Sequence, residues 1–329
     1  MSFAERLRSA LPERMKEQAR FALARRLERQ TRESDLVRGA ALVIHAVGPV
    51  AGDRPREIDP PIAASRLEAW VSYLARRYVL VRAAELLAAA RDRRPGERIP
   101  VALTFDDDLQ SHLDYAAPIL TRHGVVATAF LCAPEQPFWW HALQRAIDAG
   151  TLAAGDLPEL PSELTADALA RRPWAIGRLA KAIEELQPDR RATVALVLSE
   201  LAPDVQAPLD AAGARALCDA GWEIGFHTQR HDLLLQLDDA SLTGALRDGC
   251  ERLPVRPRTL AYPHGKAGTR EAIAARTAGY EAAFTGVPEV VTERSDPHLV
   301  GRLQPDTATQ GKFALQLARA LAVSQGRAV

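Results

Sequence analysis

Short apolar runs recur along the chain, each parted from the next by a stretch of helical character. This alternation restricts the fold more than any other feature. The runs are AALVIHAV at 40–47, YVLV at 78–81, IPVALTF at 99–105, VVATAFL at 125–131, WEIGFHT at 222–228, TLAY at 259–262 and AAFT at 282–285. They are short, continuous and rich in Val, Ile, Leu and Phe, as in strands buried on both faces. Between them, 65–76, 83–91, 115–123, 211–220, 240–253 and 271–278 have helical composition, and a last helix is expected at 311–323. Gly124, Gly221 and Gly279 stand where three of these helices should stop. Strands alternating with helices imply a parallel α/β architecture.

Two segments depart from the alternation. Between 133 and 212 the strand signal fades. Trp139, Trp140, Leu143 and Ile147 have helical spacing, as do stretches at 179–186 and 194–201, so this region reads as a helical insertion. Residues 53–62 are Pro-rich and read as a loop. Residues 1–39 read as an N-terminal helical segment ahead of a catalytic domain at 40–329. In that segment Arg20, Arg25, Arg26 and Arg29, set among Phe21, Leu23 and Leu27, have two readings: a solvated surface helix, or a basic face resting on an anionic membrane.

The charge count is balanced at 42 basic and 42 acidic residues, which argues against a nucleic-acid partner. No run of about 18 apolar residues occurs, so no spanning helix is expected. The first residues, MSFAERLRSALPERMKEQAR, carry charges throughout and lack the apolar stretch of a secretory signal. Cys132, Cys218 and Cys250 are widely spaced with no CxxC pair, and are expected as buried small hydrophobes. The expected location is the reducing cytoplasm, with peripheral contact at the inner membrane face if the N-terminal helix binds lipid.

In parallel α/β folds ligands gather at the carboxyl ends of strands. The chemically unusual residues lie there. Asp106, Asp107 and Asp108 follow one strand, His227 and His231 another, and Tyr262, Pro263 and His264 a third, while His45 lies near the end of the first. Imidazoles four residues apart share one face of a helical turn and come within reach of one metal ion. Alternatively they are solvated or bonded to backbone. Consecutive acids at a strand end repel one another and call for a cation or water. Their other reading is an N-cap with first-turn acids, which suits Asp108. For Asp106 and Asp107 a general base beside a metal ligand is the preferred reading.

TFDD at 104–107, HTQRH at 227–231 and AYPHG at 261–265 occur in the order seen in the polysaccharide deacetylase family, also called the NodB-homology or carbohydrate esterase 4 family. LVIHAV and AAPILTRHGVVATAFL resemble segments of the exopolysaccharide branch. The resemblance spans roughly residues 40–305. It implies a distorted (β/α) barrel of about seven parallel strands, with Asp107, His227 and His231 holding a divalent metal, zinc by ligand type, and Asp106 as catalytic base. It also implies water attack on an N-acetyl carbonyl, with a backbone N–H at His264 helping to stabilise the oxyanion. Arg302 resembles a late Arg of the exopolysaccharide branch and is expected to orient Asp106.

The motifs depart from the family's pattern. Asp108 replaces the usual Gly, which makes it a candidate substrate contact. Ala261 and His264 stand at altered third-motif positions, with Tyr262 and Pro263 as neighbouring substrate-contact candidates. No late Leu-x-His motif is present, which leaves His45, His264 and His298 as candidates for the general acid. Trp139 and Trp140 read either as core or as a stacking platform, with Trp140 carried as a substrate contact. His112, His123 and His141 are expected to face solvent.

The implied activity is removal of an N-acetyl group from an amino sugar in a surface-polysaccharide or lipid-linked glycan precursor. The competing readings are a non-catalytic carbohydrate-binding protein of the same fold, and a deformylase or amidohydrolase acting on a small amide. Oligomeric state is left open.

Overall fold

A computed structural model of the chain describes residues 12–134, 136–202 and 204–322. Its strands are β1 (Ala40–Ile44), β2 (Val47–Gly48), β3 (Ile62–Ala63), β4 (Val79–Val81), β5 (Pro100–Asp106), β6 (Thr128–Leu131), β7 (Glu223–Phe226), β8 (Thr259–Ala261) and β9 (Ala282–Phe284). Seven of them form one sheet in the order β1–β5–β6–β7–β8–β9, with β4 also on β5. Every pairing in it is parallel. β5 meets β1 along one edge, and on the other meets β4 at its start and β6 at its end.

The sheet curls until its edges are linked. Val300 bridges to Phe284 and Leu303 to Leu42, both in parallel sense. The Leu303 N–H donates to Ala41 O at 2.8 Å, and the Thr285 N–H to Val300 O at 2.8 Å. Residues 300–303 thus lie between β9 and β1 and remove two exposed edges. The result is the distorted (β/α) barrel expected from the sequence.

Strand alternation sorts the side chains. Val101, Leu103 and Phe105 join the cluster shared with the flanking helices, which includes Leu67, Leu74 and Leu217. Ala102, Thr104 and Asp106 point the other way, into the barrel. Phe130 and Phe284 meet there, ring centres 5.5 Å apart. Gly225 makes room for them, because a Cβ on it would lie 2.5 Å from the Phe130 ring.

The helical insertion comprises Trp139–Ala149, Ser162–Leu169, Ala175–Glu184 and Pro188–Leu201. It has a core of its own, built on Leu143, Ile147, Leu179, Ile183, Val194 and Leu198. The N-terminal helix Glu13–Arg32 packs on the last helix, Gln310–Ala322. Its buried Glu28 accepts from the hydroxyls of Tyr73 and Tyr78 and pairs with Arg77. Residues 1–11 of the expected N-terminal segment and residue 323 of the expected last helix lie outside the described residues.

Three local expectations are corrected. The helix expected at 240–253 is Asp239–Ala245 followed by a turn, because Gly249 adopts φ 91° and interrupts it. His112 does not face solvent. It is fully buried in a widened helical turn, with Nε2 3.2 Å from His45 O and its ring against Phe105. Cys132 is buried, whereas Cys218 and Cys250 are only half-buried.

Candidate active site

β5 carries Asp106 into the barrel mouth by its strand parity. The chain then leaves the strand through Asp107 in the left-handed conformation, φ 71°. A non-glycine residue there is costly, and such outliers cluster at functional sites. The turn breaks the alternation, so Asp106 and Asp107 face one cavity instead of opposite sides of the sheet.

His227 shares the inward parity of Gly225 at the end of β7. The two imidazoles converge as expected, but on a turn rather than a helix, with Thr228 at φ 60° and His231 at φ 50°. Their Nε2 atoms lie 3.3 Å apart, and each is 3.8 Å from Asp107 Oδ1. Tetrahedral ligands at 2.0–2.1 Å from a metal stand about 3.4 Å from one another. The three donors therefore suit one divalent cation.

The polar bookkeeping of the triad supports that fit. Asp107 Oδ1 is buried and accepts no hydrogen bond. His227 Nδ1 lies 2.8 Å from Ala261 O, which fixes Nδ1 as the donor and turns the Nε2 lone pair toward the centre. Burial holds His227 down at about 4 and, with His264 and His227 nearby, His231 well below the ordinary histidine value, so both rings are neutral as ligands must be. Burial, then the charges of Asp106, Asp59 and Asp108, push Asp107 well above the usual carboxylate range. A cation reverses that balance.

Asp106 behaves oppositely. Arg302, buried on the segment that closes the barrel, grips it with two parallel bonds of 2.6 and 2.7 Å. Arg302 is itself held by Thr285 O and Thr104 Oγ1, and its guanidinium lies 5.6 Å from the Phe130 ring centre. Burial alone would raise the Asp106 pKa, but the Arg302 and His227 charges outweigh it and hold the group at about 2. The result is an ionised carboxylate 3.8 Å from His227 Nε2.

His264 and His45 also line the cavity. His264 sits in a left-handed turn at φ 57°, its ring 4.5 Å from that of His231 and its Nδ1 3.1 Å from Glu184 of the insertion. The next residue, Gly265, is at φ 66°, and a Cβ there would lie 2.6 Å from the Gly286 backbone. Only glycine fits that crossing. Trp140 lines the cavity too. It stacks on Phe138 at 4.3 Å, with its ring 4.9 Å from His231, so it is both packed wall and cavity surface.

Four expected site residues are elsewhere. Asp108 turns away and accepts from the backbone N–H groups of Cys132 and Ala133 at 2.7 and 3.1 Å. Both of its oxygens are taken by the exit loop of β6, so it neither caps a helix nor faces substrate. Tyr262 follows Ala261 on β8 and so points out of the barrel; it is fully buried and donates to His298 O at 2.9 Å. Pro263 is buried and lies outside the cavity lining. His298 is buried against Tyr280 O at 2.8 Å, also off the cavity, so it is no candidate for the general acid.

Apart from Trp140, sequence reasoning did not find the contributors from the insertion and the Pro-rich loop. Glu184 meets His264 and Lys266. Arg191 makes a buried pair with Asp232, the residue after His231, and so ties the insertion to the histidine turn. Asp59 and Trp174 line the same cavity of about 1060 Å³. The Pro-rich composition at 53–62 marked a loop, but nothing local says which cavity a loop walls.

No family model and no curated protein matches the chain. Solved structures do. A deacetylase from Streptococcus pyogenes, PplD, superposes with TM-score 0.58 over 87% of this chain and 99% of its own, at 14% identity. A polysaccharide deacetylase from Bacillus cereus gives 0.53 over 86% of this chain and 69% of its own, at 14% identity. The fold is that of the polysaccharide deacetylases. IcaB from Ammonifex degensii is similar over 87% of this chain and 97% of its own, with TM-score 0.52 and 18% identity. Identities this low establish the polysaccharide-deacetylase fold and leave the chemistry to the residues. Among the described residues no helix is long and apolar enough to cross a membrane.

Proposed function

We propose that the chain is a divalent-metal-dependent N-deacetylase acting on an amino sugar of a surface-polysaccharide or lipid-linked glycan precursor. One observation carries the reading: the Asp107–His227–His231 donor set and the Arg302-gripped carboxylate of Asp106 face the same cavity. Its two nitrogens and one oxygen suit zinc. A cation bound by those three residues would supply Lewis acidity to polarise the carbonyl and ease deprotonation of water.

The chain's own residues do the rest. Asp106 accepts the proton of the attacking water, and Arg302 keeps it ionised and aimed. The backbone N–H of His264, in its strained turn, donates to the oxygen of the attacked carbonyl. As the C–N bond breaks, the leaving nitrogen takes a proton from His264 or His45, the two histidines on the cavity wall outside the ligand set. Acetate and a free amino sugar result.

A substrate panel tests this. Purified protein with added zinc is expected to release acetate from N-acetylglucosamine oligomers, and not from an N-acetyl amino acid. Release from the amino acid alone would mean a small-amide hydrolase, and release from neither a carbohydrate-binding protein.

We also propose peripheral attachment of the helix Glu13–Arg32 to an anionic membrane. Glu28 turns inward, and Glu17 bonds to the Gly311 N–H, while Arg14, Arg25, Arg26 and Arg29 are exposed beside Met15 and Leu23. Phe21 and Leu27 instead pack on the core, and Arg20 pairs with Glu17 at 2.9 Å. The protein is expected to sediment with phosphatidylglycerol vesicles. Changing Arg25, Arg26 and Arg29 together to Glu should weaken that by at least about 10²-fold, at about 1 kcal/mol per basic residue lost. Unchanged sedimentation would remove the proposal.

A further inference from the structure

The cavity is too large for one acetylated sugar. At about 1060 Å³ it sits at the upper end of ligand pockets, which run roughly 300–1,000 Å³. It reaches from the histidines to a mouth between the insertion and the Pro-rich loop. At that mouth stands Trp174, 59% exposed and the only aromatic among the exposed large hydrophobics of the described residues.

Trp174 is not loosely presented. It begins the helix Ala175–Glu184 in the left-handed conformation, φ 66° and ψ 0°, which a bulky side chain adopts only when its surroundings impose it. What imposes it spans the mouth: its N–H donates to Pro55 O on the opposite loop. The fold therefore accepts both an exposed indole and a strained backbone at one residue. An indole face is electron-rich and attracts the C–H edge of a pyranose, as it does the positive edge of another ring. The charges that line the cavity outside the Asp106–Asp107–histidine cluster are mixed, with Arg54 and Arg66 offset by Glu57, Asp59 and Glu184, which favours a neutral, hydroxyl-rich ligand over a pyrophosphate.

We propose that Trp174 is an outer sugar subsite, so that the substrate is a glycan chain bound across several residues with one acetamide at the Asp106 end. This rests on the deacetylase reading above. The experiment compares N-acetylglucosamine with its tetramer in wild type, W174A and W174F. Wild type is expected to show a higher kcat/KM for the tetramer. W174A should lose roughly three- to tenfold of that preference through KM, with kcat kept. W174F should retain most of it, and all three should treat the monosaccharide alike. An unchanged preference in W174A, or none in wild type, overturns the subsite. Acetate release from neither length overturns the deacetylase reading instead. Calorimetry of tetramer binding then decides the subsite: weaker binding in W174A than in wild type supports it, and equal or absent binding overturns it.

Discussion

Asp106→Asn is expected to lower acetate release by about 10²–10⁴-fold while the protein still binds metal, the range that a positioned base contributes. The substitution keeps the shape of the side chain but removes its charge, and with it both its ability to take a proton and the ion pair with Arg302, so unfolding of the variant is measured beside the assays. It does not touch Asp107, His227 or His231, the three residues whose donor atoms converge. Parallel assays of acetate release and of bound zinc check this. Turnover equal to wild type would dismiss Asp106 as the base. Loss of zinc along with activity in a variant that stays folded would show that Asp106 serves the metal site instead.

The second large effect concerns stability. Arg302→Met should destabilise the fold by about 3–5 kcal/mol, because it leaves the Asp106 carboxylate buried without its partner. Both members of the pair are almost wholly buried, and Arg302 lies on the segment wedged between β1 and β9. Removing it therefore loosens the seam of the barrel as well as the charge balance. Denaturant unfolding of wild type and variant measures the difference. A loss below about 1 kcal/mol would mean that the cavity hydrates Asp106 well enough to dispense with the pair.

Much of this site was legible because its key residues obey local rules. Asp106 and His227 stand at strand ends whose alternation sends them inward, and the four-residue spacing of His227 and His231 brings their two rings together. Two of the errors, Asp108 and His112, arise where the backbone leaves those rules. Asp107 at φ 71° resets the alternation, so Asp108, read as a helix cap or a substrate contact, braces Cys132 and Ala133 instead. Tyr262 was misassigned although strand parity already points it outward, one residue past the inward Ala261. His112 sits in a widened turn that no spacing rule marks. Glu184, Asp59 and Trp174 reach the cavity through contacts distant in sequence, and pattern reading does not register those. The insertion was visible as helices, and only Trp140 of it was read as a wall of the site.

The most direct test of the central claim is acetate release from an N-acetylglucosamine oligomer by one sample of the protein, first stripped with chelator and then titrated with zinc. The account predicts negligible release after stripping. Activity should then rise in proportion to added zinc and level off near one equivalent per chain. Full activity in the stripped protein, or none at any zinc level, would contradict it.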